Sequence, residues 1–187
     1  MRSKKGWTFI ELMVVIVIVG ILAGVGVTVF SKATSLAYLN SSVELLRADL
    51  VTGKQIASAE GTRYSFMFLG ARDGPSSARD SYQMVKENTG EVTLRQLPGR
   101  VRVAQVNFWD IGAKGDKEGE KGNYTNTVSF APSSTQGAGI VTPRVAGTIT
   151  LSDSRGKEIY VKITPNIGRI AISQKPPPKR DGYFDYP

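Results

Sequence analysis

Histidine and cysteine are both absent from the 187 residues, so the commonest general base at neutral pH, the thiol nucleophile and the usual zinc ligands are missing. An enzyme would have to rely on a Ser/Lys or paired-carboxylate site, and no local spacing announces one. The expectation is a protein that is not an enzyme and carries no cofactor. What remains are groups that act through charge. Glu11 is a lone carboxylate at the lip of an apolar run, and Arg100 and Arg102 alternate in Gly99-Arg100-Val101-Arg102. Lys175, Lys179 and Arg180 stand near Tyr183, Phe184 and Tyr186, a mixture that could hold single-stranded nucleic acid by charge and stacking. Asp116, Glu118 and Glu120 recur at alternate positions, the spacing of a calcium loop.

Each group also has a plainer reading. In the 115–122 loop Lys117 and Lys121 intervene and Thr127 stands where a bidentate Glu would be needed, which favours a solvated loop. The tail's three cations are offset by Asp181, Asp185 and the terminal carboxylate, so residues 174–187 read as a flexible proline-rich extension or docking strap. Arg100 and Arg102 fit the wet face of a strand. Of the net charge of +8, +3 lies on Arg2, Lys4 and Lys5 and −1 on Glu11, which leaves +6 on residues 31–187. Weak attraction to DNA through Arg100, Arg102, Lys179 and Arg180 is the consequence.

Glu11 is the informative anomaly. From Leu12 to Phe30 the chain carries no charge, and 19 residues at about 1.5 Å each are enough to cross a bilayer. The cations ahead of the run place the N-terminus in the cytoplasm and the remainder outside. A carboxylate in such a helix costs on the order of 2.5 to 3.5 kcal/mol at its middle and less near an end, so Glu11 calls for a partner. Gly20-x-x-x-Gly24 has the spacing for close helix packing in lipid. With Gly26, these glycines also weaken the helix by roughly 1 kcal/mol each.

Beyond Phe30, Leu36, Leu39, Val43, Leu46 and Leu50 recur at steps of three and four, one helical stripe. The helix is predicted to run from near Trp7 to about Glu60, with Gly53 as a weak point and Gly61 as its stop. From Thr62 the period changes to two. Strands are predicted over 63–69, 82–87, 92–97, 101–108, 127–130, 148–152, 158–164 and 168–173, with a hairpin at Asn88-Thr89-Gly90 and a meander through the last three. One helix followed by strands is an α+β arrangement, an antiparallel sheet folded over the helix.

The stretch Gly6-Trp7-Thr8-Phe9-Ile10-Glu11-Leu12-Met13-Val14-Val15 resembles the class III leader of type IV pilins and type II secretion pseudopilins. The resemblance implies that a prepilin peptidase removes residues 1–6 by cutting after Gly6 and methylates the new amine of Trp7. It implies too that Glu11 pairs with that amine on a neighbouring subunit, neutralising two charges in low dielectric. Trp7 stands where the family usually has Phe. On this reading residues 7–30 are the transmembrane and filament-core helix, 31–173 a periplasmic or extracellular domain, and 174–187 a tail. The outline, with Leu45-Leu46-Arg47-Ala48-Asp49-Leu50 and a closing Gly168-Arg169-Ile170 strand, is similar to the GspH/FimT minor pseudopilins and pilins. Gly168-Arg169-Ile170-Ala171 lacks the second arginine of the Gly-Arg-x-Arg that some FimT-like members associate with DNA. The implied role is a minor pseudopilin of type II secretion, with a FimT-like minor pilin in pilus assembly or DNA uptake as the alternative and a tethered, non-polymerising binding domain as a further one. The implied partners are other pilin-type subunits, the prepilin peptidase/methyltransferase, the inner-membrane assembly platform, lipid before assembly and, weakly, DNA.

Overall fold

The computed structural model describes residues 7–70, 79–110, 124–132, 141–143, 145–164, 168–176, 179–180 and 183–184. A 52-residue helix, α1, spans Phe9–Glu60. It contains no proline, and it ends where Gly61 turns into the left-handed region at φ 62°, a conformation that a residue without Cβ adopts at little cost. The chain divides into two compact units, residues 1–37 and 38–187.

In the first unit the large apolar side chains from Trp7 to Phe30 are exposed throughout, among them Ile10, Val15, Ile18 and Leu22. This part of α1 is long and apolar enough to cross a membrane by length and composition.

The second unit is built on the rest of α1. Leu39, Val43, Leu46, Leu50 and Ala57 are almost completely buried, as the spacing of three and four requires when one helical face packs and the other stays wet. Among the described residues twelve strands follow: β1 Tyr64–Met67, β2 Ser81–Lys86, β3 Glu91–Gln96, β4 Arg102–Asp110, β5 Tyr124–Thr125, β6 Thr127–Pro132, β7 Val141–Pro143, β8 Val145–Ser152, β9 Glu158–Ile163, β10 Ile170–Ser173, β11 Lys179–Arg180 and β12 Tyr183–Phe184. They form two antiparallel five-stranded sheets, β3-β2-β1-β6-β7 and β10-β9-β8-β4-β5, and a separate β11-β12 ladder. The eight longer strands fall where the period of two places them, and β8-β9-β10 is the expected meander. The fold is therefore α+β, one long helix packed with two antiparallel sheets, as in pilins.

Phe66, Phe68, Tyr82, Phe108 and Phe130 lie fully buried at the centre of this unit. Phe66 meets the edge of Phe130 at 6.0 Å and 86° within the first sheet, and Phe68 reaches Phe108 of the second sheet at 6.1 Å, separations at which aromatic pairs attract beyond their burial. Gly53 is not a weak point in α1, which continues through it without a break. A Cβ there would lie 2.7 Å from the Phe66 ring and 2.8 Å from Tyr64, so glycine at this position lets β1 approach the helix. Within residues 174–187, β11 pairs with β12 in the register Lys179↔Phe184 and Arg180↔Tyr183.

Candidate functional site

The amino end of α1 is a capping box. The Thr8 hydroxyl accepts from the Glu11 amide at 3.3 Å, while Glu11 Oε2 accepts from the Thr8 amide at 2.8 Å and from its hydroxyl at 2.9 Å. Thr-x-x-Glu satisfies two amides that the first turn leaves without intrahelical partners, and it fixes the Glu11 carboxylate beside residue 8. The reading from sequence assigned Glu11 wholly to a neighbouring subunit and did not name Thr8. The Thr8-Phe9-Ile10-Glu11 spacing is itself the signal that identifies it. Trp7, immediately before the cap, is 76% exposed, so a carboxylate anchored on Thr8 stands at the head of an uncovered apolar helix. Gly20 and Gly24 have open space around the position of a Cβ, which leaves the backbone of α1 accessible to a second helix. Gly6 lies outside the described residues.

The basic residues of the second unit gather in two places. Arg79, Arg100 and Arg102 line an opening of about 350 Å³ with Val103, Ala104, Ser152, Asp153 and Ser154. Arg102 begins β4 and faces solvent. Arg79 is brought there because its carbonyl accepts from the Val103 amide at 2.7 Å while its Nε donates to the Gly70 carbonyl at 3.1 Å. The carboxylate that lines the opening, Asp153, is engaged in its own turn: Oδ1 accepts from the Arg155 and Lys157 amides, each at 2.9 Å. The arrangement presents guanidinium groups to an oxyanion.

The second place is a groove of about 430 Å³ lined by Arg47, Val51, Lys54, Gln55, Ser58, Gly168, Arg169 and Ile170. Here Arg169, from the incomplete Gly-Arg-x-Arg segment, meets two cations of α1. Arg79, Arg47 and Lys54 were not foreseen, because each joins its cluster through tertiary packing. Lys179 and Arg180 belong to β11, whose partner is β12. The candidate calcium loop, residues 115–122, lies outside the described residues. Among the described residues no three acidic side chains come together as a metal site would need.

A capped apolar helix, long and apolar enough to cross a membrane, followed by a domain of two antiparallel sheets is a pilin-like architecture. The comparisons with known proteins agree with it. Residues 1–27 match the prokaryotic N-terminal methylation motif. Two fimbrial proteins of Pseudomonas aeruginosa are each 28% identical over 110 residues, covering 54% of this chain and 71% of the relative. No solved structure matches. The fold and these likenesses are those of a type IV pilin-like structural subunit.

Proposed function

We propose that the chain is a minor subunit of a type IV pilus-like filament. It is held in the bacterial inner membrane by residues 7–30, with its N-terminus cytoplasmic and its domain on the far side, until it joins the filament. The observation that carries this reading is the Thr8–Glu11 box at the head of an uncovered apolar helix. A peptidase cut after Gly6 would expose the Trp7 amine, and the methylation motif over residues 1–27 supports that processing. Glu11 then meets the Trp7 amine of an adjacent subunit and each charge neutralises the other in low dielectric. Gly20 and Gly24 let helices approach one another in the filament core. Sequence outline alone favoured a GspH-like pseudopilin of type II secretion. The likeness to fimbrial proteins supports a pilus, and a FimT-like minor pilin is the form of that reading adopted here.

Two measurements test this. The intact mass of membrane-extracted protein should correspond to a chain beginning at Trp7 with a methylated amine, and a start downstream of Ala23 rejects the pilin mechanism. Deletion of the gene should reduce surface filaments and leave type II secretion unaffected, whereas the converse outcome transfers the subunit to a secretion pseudopilus.

A further inference from the structure

We propose that the opening lined by Arg79, Arg100 and Arg102 is a lipid-headgroup site. Through it the domain binds the phosphates of anionic phospholipids in the membrane that anchors the chain, and so lies against the bilayer until the subunit enters a filament. The proposal rests on anchoring by residues 7–30, and its test separates the two. Position within the second unit carries it. Gly99 sits against Tyr38, where a Cβ would come within 2.7 Å of the ring, and Tyr38 is the first residue of that unit. The Leu97 amide donates to the Asp80 carbonyl and the Val103 amide to the Arg79 carbonyl, each at 2.7 Å, which gathers the three arginines around Gly99. The β8-β9 turn comes to the same end, because Ser152 pairs with Arg102 on one side and with Glu158 on the other. The opposite end is where α1 finishes at Glu60, beside Lys86 at the close of β2. Tyr38 follows Phe30, the last residue of the uncharged run, by eight residues. Even fully extended, at about 3.6 Å each, they keep it within about 29 Å of that run. The arginines therefore stand at the end of the domain that the tether holds to the bilayer.

Charge distinguishes the two ends. At the far end cations are matched: Lys86 pairs with Glu60 and Arg63 with Glu87. At the tethered end, among the described residues, neither Arg100 nor Arg102 has a carboxylate partner. The acids there are engaged elsewhere, Asp80 by Gln96 Nε2, Glu158 by the Tyr160 hydroxyl and Asp153 by the amides of its own turn. A guanidinium offers a planar fork of donors that matches phosphate oxygens, and Ser152 and Ser154 line the same opening. Tyr38 is 45% exposed, an amphipathic ring of the kind that settles at headgroup level.

Three arginines suffice because the domain is tethered. Headgroups stay at high effective concentration around a domain that cannot diffuse away, so a contact too weak to capture a ligand from solution still holds it down. A duplex, which has no tether, needs many phosphate contacts at once, and these arginines converge on one opening instead of running along a face. The contact is also easily given up: it is screened by salt, and drawing the subunit out of the bilayer removes the headgroups from its reach.

The absence of cysteine allows one reporter at a time. Full-length protein is reconstituted into phosphatidylcholine vesicles with or without one third phosphatidylglycerol, both containing a headgroup-attached quencher. A fluorophore is placed on Gln96→Cys, near the opening, or on Asn88→Cys, at the far turn of the same hairpin. At low salt phosphatidylglycerol should increase quenching of the Gln96→Cys reporter and leave the Asn88→Cys reporter unchanged. About 1 M salt, where the screening length falls to about 3 Å, should remove the difference. Arg100→Gln with Arg102→Gln should lower the ratio of docked to free domain roughly 25-fold, about fivefold for each arginine. Equal quenching in the two vesicles, or a signal indifferent to the double variant, overturns the proposal. An Asn88→Cys reporter that responds as strongly also overturns it, since the domain then lies down by its whole charge. Release by millimolar inorganic phosphate at fixed ionic strength means a site for a soluble oxyanion, and release by a short duplex at micromolar concentration means a nucleic-acid site. Either outcome replaces lipid as the ligand. A chain that does not float with the vesicles refutes the anchoring and this proposal with it, whereas a chain that floats without docking refutes this proposal alone.

Discussion

The Tyr82 hydroxyl of β2 donates to the Asp49 carboxylate of α1 at 2.6 Å, and the same oxygen accepts from Arg95 Nε of β3 at 3.0 Å. One carboxylate thus ties the helix to two adjacent strands. Its side chain is only 13% exposed, so it is screened far less than the surface pairs Arg63–Glu87 and Arg47–Glu44. Asp49→Ala should destabilise the domain by about 1 to 3 kcal/mol because it strands a buried hydroxyl. Tyr82→Phe should cost less, since Arg95 still satisfies Asp49. Urea unfolding of the detergent-solubilised chain checks the order, and an equal or larger loss for Tyr82→Phe would contradict it.

The same pair gives the protein an alkaline limit. Burial, reinforced by the hydrogen bond to Asp49, pushes the Tyr82 phenol far above the ordinary value of 10.0, and burial also raises Tyr64. A raised folded-state pKa contributes stability that is fully present below the unfolded value and is lost as pH rises beyond it. Unfolding midpoints should therefore be flat up to about pH 10 and fall above it. Tyr82→Phe should make that fall shallower without removing it, because Tyr64 remains. An unchanged slope would show that Tyr82 ionises freely in the folded chain.

Much of this was legible in sequence where a local period or spacing carries the information. Leu39, Val43, Leu46 and Leu50 announce their common burial by steps of three and four, and Ile159, Val161 and Ile163 by alternation. The Thr8–Glu11 cap was equally readable, yet a carboxylate in an apolar run draws attention to distant partners before near ones. The division into two sheets was not readable. β4 leaves β3 and, besides its neighbour β5, pairs with β8 after β6 and β7 have gone to the other sheet, and no local pattern encodes that choice. β5 and β7 are too short to show alternation at all. Arg79 joins Arg100 and Arg102 only because the β2-β3 hairpin returns the chain to its start, so that cluster exists only in the folded domain.

Gly53 separates helix propensity from packing. Gly53→Ala adds helix propensity worth roughly 1 kcal/mol, but the new methyl would sit 2.7 Å from the Phe66 ring, and overpacking a tight core costs about 1 to 3 kcal/mol. Phe66 is fully buried and packed against Tyr64, Tyr82 and Phe130, so it has little room to move and the net effect should be destabilising. Gly147→Ala should be worse, because its Cβ would meet the Asn107 carbonyl at 2.1 Å, a backbone atom fixed in the β4-β8 ladder. A gain in thermal midpoint for either variant would show that the strands can slide away.

At the head of α1, capping and charge pairing can be told apart. Glu11→Gln keeps an N3 side chain able to complete a capping box but removes the charge. Glu11→Ala removes both functions, and Thr8→Ala removes the hydroxyl that holds the carboxylate in place, at about 0.5 to 2 kcal/mol of helix stability. If Glu11 neutralises the amine of a neighbouring subunit, incorporation into sheared filaments should be poor for Glu11→Gln and Glu11→Ala alike, with membrane levels unchanged. Thr8→Ala should be intermediate. Normal incorporation of Glu11→Gln would mean that capping alone is what assembly requires.

The Arg79, Arg100 and Arg102 opening sets the expected behaviour toward DNA. Guanidinium groups contact phosphates without regard to sequence, and the described structure offers no stripe of cations along which a duplex would lie. Full-length protein in detergent should therefore bind duplex DNA weakly and without sequence preference. Affinity should fall as salt rises, with a log–log slope of roughly −0.9 for each phosphate neutralised. Arg100→Gln with Arg102→Gln should flatten that slope by about one to two contacts and leave the fold intact, because both side chains face solvent at a turn and a strand start. Lys179→Gln with Arg180→Gln, on β11, should have the smaller effect, since the tail's cations are balanced by its acids. Tight binding at physiological salt that disappears in either double variant would instead make DNA capture the principal task of this subunit.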